Sequence, residues 1–98
     1  MAVKVLIKRK IKDGKLNEAS KLLVKARYNA MGQPGYISSE TLSGCVDRNN
    51  VVVVSMWQKL ENWNQWEKSE LRAENEAKFE NLLDGPVEYE TYNLGLQL

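Results

Sequence analysis

The sequence predicts an α+β domain: a four-stranded antiparallel sheet with its helices on one face. Three observations carry that prediction. The apolar pattern switches along the chain between a period of two and a period of three to four, the signatures of strand and helix. Turn residues, Asp13-Gly14, Gly32-Gln33-Pro34-Gly35 and Gly85-Pro86, sit where the pattern changes. A run of four valines, Val51 to Val54, is too apolar to face water on either side and marks a central strand.

Each element follows from its own residues. Val3, Val5, Ile7 and Ile11 alternate with Lys4, Lys8 and Lys10, so residues 3–11 read as a strand. Leu16, Ala19, Leu22, Leu23, Ala26 and Ala30 form the stripe of an amphipathic helix over residues 15–31. Gly32 is expected to cap it in the left-handed conformation, and Pro34 cannot continue it. Residues 36–43 alternate loosely and are polar enough for an edge strand. Residues 51–57 are the valine strand, whose β-branched side chains suit a sheet. A short helix follows over residues 60–68, with Leu60, Trp63 and Trp66 on one arc. A second helical stretch over 70–83 is expected to turn Leu71, Asn75, Phe79, Leu82 and Leu83 inward, and residues 87–94 read as the last strand. The order strand, helix, strand, strand, helix, strand is the ferredoxin-like βαββαβ pattern. The remaining sheet face is expected to be too apolar to stay wet. A homodimer formed by sheet-to-sheet packing would cover it.

Composition narrows the function. With 98 residues the chain holds one domain, residues 1–98, and an apolar fraction of 43% supports a packed core. A net charge of +1 argues against nucleic acid as the main partner. The cluster Lys8-Arg9-Lys10 with Lys12 reads as a solvated or snorkelling strand face. No stretch has the length and hydropathy of a signal peptide or a membrane span, so a cytoplasmic location is the expectation. Cys45 is the only cysteine and receives no role, and histidine is absent. That removes the commonest general base, the usual haem ligand and the commonest metal ligand, and no acidic run has a recognisable metal spacing. No cofactor is expected, nor is there a glycine-rich phosphate loop.

All three tryptophans, Trp57, Trp63 and Trp66, lie within ten residues of one another. Such a concentration either builds core or walls a pocket for something flat. Trp57 is the candidate wall, offering its indole N–H as a donor. Asn75 stands on an apolar helical arc, where an amide is either paired in the core or aimed into a pocket. Lys8 is a surface amine unless it turns inward, where burial would lower its pKa and make it a base.

With these residues the chain resembles the antibiotic biosynthesis monooxygenase (ABM) domain family of the dimeric α+β barrel superfamily. The resemblance rests on Gln33-Pro34-Gly35-Tyr36 after the first helix, Val54-Ser55-Met56-Trp57 ending the third strand, Trp63-Asn64-Gln65-Trp66-Glu67-Lys68-Ser69, the Gly85-Pro86 break and the tyrosine-bearing last strand. It implies a homodimer with one pocket per protomer between sheet and helices. It also implies one of several activities: cofactor-free oxidation of phenols to quinones, haem degradation, or none established. The haem-degrading branch has asparagine, tryptophan and histidine where this chain has Lys8, Trp57 and Asn75, so its iron ligand is missing. The reading that results is a cofactor-independent monooxygenase acting with O2 on a small aromatic or polycyclic phenol. Trp57, Asn75 and Lys8 are its catalytic candidates, and Trp57, Trp66, Leu71, Phe79 and Tyr28 line its pocket. Arg27, Arg72 and Tyr92 are further candidates. The alternative is a module that binds a small hydrophobic molecule without turnover.

Overall fold

A computed structural model describes residues 1–98. Its elements are β1 (Val3–Lys10), α1 (Leu16–Met31), β2 (Tyr36–Ser43), β3 (Asn50–Trp57), α2 (Leu60–Glu67), α3 (Glu70–Phe79) and β4 (Glu88–Asn93). The four strands form one antiparallel sheet in the order β2-β3-β1-β4, which makes the valine strand internal and β2 an edge. This is the ferredoxin-like α+β architecture the pattern predicts. No helix is long and apolar enough to cross a membrane.

Strand register sets the two faces. Val3 pairs with Trp57, Val5 with Ser55 and Ile7 with Val53, so these residues share one face. The helices cover it. Val3, Val5 and Ile7 pack with Trp57, Trp63 and Trp66 in one core cluster, and Ile11, Ala19, Val51 and Leu82 form a second. The open face therefore does not carry Val3, Val5 and Ile7. Leu6, Val52, Val54 and Met56 stand on it among Lys4, Lys8 and Glu90, each half-buried.

Helix ends explain the Gly32-Gln33-Pro34-Gly35 turn and the junction of α2 with α3. Gly32 ends α1 in the right-handed region, not in the left-handed cap expected of it. The left-handed glycine is Gly35, where a Cβ would strike the side chain of Asn62 on α2. Its carbonyl accepts from the Gln58 amide at 2.8 Å, which ties the α1–β2 turn to the end of β3. Ser69 accepts from the Arg72 amide at 3.2 Å and so caps α3, while its hydroxyl donates to the Trp66 carbonyl at 2.8 Å. One side chain thereby joins two helices.

α3 turns Asn75, Phe79 and Leu82 inward as expected and departs from the expectation at Leu71. Arg72, Asn75, Phe79 and Leu82 are buried, whereas Leu71 is 39% exposed. Leu60 is exposed too, and the α-helix tightens to a 3₁₀ turn at Glu80–Leu82. A helix advances about 100° per residue, so adding Leu71 to the inner arc displaced Arg72 from it.

Burial predicts unequal costs on α3. Phe79→Ala should lower unfolding free energy by about 3–5 kcal/mol, as truncation of a fully enclosed aromatic does. Leu71→Ala should stay within about 0.5 kcal/mol of the parent. Urea denaturation of both variants measures the difference.

Candidate functional site

Between the inner sheet face, α1 and α3 runs a crevice. Its walls include Ile7, Arg9, Tyr36, Val53, Ser55 and Trp57 from the sheet, Trp63 and Trp66 from α2, Ala30 and Arg27 from α1, and Arg72, Asn75 and Glu76 from α3. About 60 Å³ of it is open to water centres, inside about 560 Å³ of empty space that includes the mouth.

The aromatic wall is locked by edge contacts. Tyr36 meets Trp57 edge-on at 5.5 Å between ring centroids, and Trp57 meets Trp63 at 6.0 Å. A register shift in β2 between Tyr36 and Ser38 makes this contact. The extra residue lets Tyr36, Ser39 and Thr41 all face the crevice, which strict alternation would forbid. The Tyr36 and Ser39 hydroxyls then share a hydrogen bond of 2.8 Å. Trp57 is only 1% exposed, and its indole N–H already donates to Ser55 Oγ at 3.1 Å. Ser55 in turn donates to the Val5 carbonyl at 3.4 Å. Trp57 thus presents ring to the crevice and spends its donor inside the sheet, contrary to the expectation of a free N–H.

The polar wall is built around Glu76. Arg9 Nη2 donates to Glu76 Oε1, and Arg72 Nη2 forms an ion pair with the same oxygen at 3.2 Å. The Arg9 guanidinium lies over the Phe79 ring at 4.4 Å, and that of Arg72 lies over Trp63 at 5.1 Å and Tyr89 at 5.3 Å. Arg72 also donates to the Tyr89 hydroxyl at 3.0 Å. Arg9 and Asn75 are each 6% exposed. Asn75 Oδ1 accepts from Asn29 Nδ2 at 3.1 Å, but Asn75 Nδ2 and Arg9 Nε have no partner. Buried donors rarely go unmatched, so this corner holds unspent hydrogen-bonding capacity.

The structure brings together only part of the predicted set. Trp57, Trp66 and Asn75 line the crevice, and so do Arg27 and Arg72. Lys8 does not turn inward. It lies on the open face, 2.6 Å from Glu90, whose hydrogen bond and charge hold the lysine above its ordinary pKa, the opposite of an activated base. Tyr28 is 76% exposed on the outside of α1. Tyr92 stands exposed on the open face and donates to Glu90 at 3.1 Å. Phe79 is buried beneath Arg9 and is not among the lining side chains, and neither is Leu71. Arg9 and Glu76 line the crevice too, beyond the residues the sequence pattern singles out. The signal for Arg9 was present: it has the parity of Val3, Val5, Ile7 and Ile11, so the alternation that defined β1 also aimed it inward.

Comparison with known proteins adds a frame. The family model for antibiotic biosynthesis monooxygenase matches residues 2–74. No curated protein matches the sequence. Among solved structures, a conserved protein from Methanosarcina mazei Go1 superposes with a TM-score of 0.87 at 18% identity, covering 94% of this chain and 91% of the other. SnoaB, a cofactor-independent oxygenase from Streptomyces nogalater, gives 0.86 at 13% identity over 99% and 96% of the two chains. Rv0793 from Mycobacterium tuberculosis gives 0.85 at 13% identity over 99% and 98%. At such identities the likeness shows the fold alone.

The shared carboxylate generates a stability prediction. Glu76→Ala leaves two buried guanidiniums without their counter-charge and should cost about 2–4 kcal/mol. Glu40→Ala, at an exposed position of β2, should cost almost nothing. Chemical denaturation monitored by tryptophan fluorescence distinguishes them.

Proposed function

This chain belongs to the antibiotic biosynthesis monooxygenase family, and on that premise we propose that it is a cofactor-independent oxygenase of a small phenolic substrate. The observation that carries the reading is the crevice itself, lined by an aromatic wall at Trp57 and by the buried Asn75 amide, whose Nδ2 has no partner. A pocket that is mostly apolar with a few convergent polar groups is the usual form of a small-molecule site.

In this scheme the substrate supplies the electrons. Three arginines against one glutamate, Arg9, Arg27 and Arg72 against Glu76, make the lining electropositive and favour the phenolate over the phenol. The phenolate transfers electrons to O2. One oxygen atom bonds to the ring carbon opposite the hydroxyl, and the other leaves as water with the ring hydrogen and the hydroxyl proton. Phenol plus O2 thus gives quinone plus water, and the four electrons that O2 gains come from the ring. The protein orients the ring against Trp57 and limits access of water. Asn75 Nδ2 is a donor proposed to anchor the substrate through one of its oxygens. With Lys8 on the other side of the sheet, no lysine base enters the scheme.

A binding module without turnover is the second reading. The observation that favours it is that the one carboxylate in the crevice, Glu76, is already held by two arginines, leaving no free acid–base group. Oxygen-electrode assays with naphthols and quinols separate the two. The oxygenase reading expects uptake that falls at least about tenfold in Asn75→Ala and clearly in Trp57→Phe. Thermal stabilisation by the same compounds, with no uptake above buffer, selects the binding module.

We further propose that the active form is a homodimer joined through the open sheet face, where Leu6, Val52, Val54 and Met56 offer apolar surface between charged neighbours. Light scattering should give twice the 11.2 kDa protomer mass, and Val54→Asp should return the protomer mass. A wild-type protein at the protomer mass ends this part of the reading.

A further inference from the structure

The charges around Glu76 do not close. One carboxylate oxygen takes both Arg9 and Arg72, and no second acid lines the crevice. Both guanidiniums are withdrawn from water, with side-chain exposures of 4% and 8%. A buried positive charge without a counter-ion is costly, and proteins rarely keep one without use. Two donors beside the triad are also unsatisfied, Arg9 Nε and Asn75 Nδ2. Asn75 immediately precedes Glu76 on α3, and both residues line the crevice with Arg9 and Arg72. Excess positive charge, orphaned donors and an adjoining aromatic wall thus occur at one place.

We infer that this corner is an anion subsite, and that the natural ligand is a planar aromatic acid whose carboxylate sits between Arg9, Arg72 and Asn75 while its ring lies along Trp57. A carboxylate matches it better than a phenolate for two reasons. It has two oxygens for the fork geometry of guanidinium donors. It is also fully ionised at neutral pH, so it completes the charge without drawing a proton from a group the crevice lacks. The substrate class becomes a hydroxyaryl carboxylate, with the acid as handle and the phenol as reacting end. The inference rests on the reading of this crevice as the ligand site, but on binding alone and not on turnover.

The test compares 2-naphthoate with 2-naphthamide, nearly the same in shape and different in charge. Binding to the full chain is read by tryptophan fluorescence and by calorimetry. The carboxylate should bind at least about tenfold more tightly than the amide, the value of one charge-assisted hydrogen bond. Arg9→Lys keeps the charge but loses the fork, and should erase most of that preference. Glu76→Gln removes the competing carboxylate at nearly constant shape, and should tighten the carboxylate without tightening the amide. Equal binding of both probes, no binding of either to the folded protein, or a preference untouched by both substitutions would overturn the inference. Tight carboxylate binding without oxygen uptake from any hydroxynaphthoate would uphold the subsite and remove the oxygenase reading, so the two fail separately.

Discussion

Two arginines share one glutamate inside this protein, and the layout of the crevice follows from that arrangement. Arg9 comes from the C-terminal end of β1, and Arg72 and Glu76 from successive turns of α3. The ion pairs fix α3 against the sheet at a definite phase. Stacking of Arg9 on Phe79, and of Arg72 against Trp63 and Tyr89, removes the guanidiniums from water and holds their planes. A buried charged network is seldom the most stable filling for a core; well-packed apolar groups often do better.

The aromatic side of the crevice depends on a different device. Trp57 is held by edge contacts from Tyr36 and Trp63 and by its bond to Ser55, so its ring has little freedom. The register shift in β2 aims Tyr36 and Ser39 at the same side, and Gly35 lets the preceding turn approach α2 closely enough to keep them there. A rigid flat wall and a polar corner therefore come from separate elements. Lys8 lies outside the crevice. A one-residue step along a strand crosses the sheet, and Lys8 meets Glu90 on the open face.

Much of the fold was legible because its elements advertise themselves locally. Alternation in β1, the leucine–alanine stripe of α1 and the valine run of β3 each place an element within a residue or two of its observed bounds. The site was legible only in part. Trp57, Trp66 and Asn75 reach the crevice as their patterns suggest, yet the indole N–H is spent on Ser55 and the amide leans on Asn29. By hydropathy Leu71 reads as the inner residue, yet Arg72 takes that place with its guanidinium stacked on Trp63 and Tyr89. Arg9 was passed over because its neighbours Lys8 and Lys10 suggested a solvated cluster, although its parity was that of the core.

The sequence by itself determined the order of elements, the fold class, the internal position of the valine strand and the absence of histidine chemistry. Each of these depends on residue identity or on spacings of two to four residues, which backbone geometry converts directly into faces. Only the tertiary structure decided which polar groups meet. Arg9 and Glu76 are 67 residues apart, and Asn29 and Asn75 are 46 apart. No local period spans such distances. Their meeting is set by strand order, by the bulge in β2 and by the phase at which α3 packs, and these emerge only when all the elements are buried against one another.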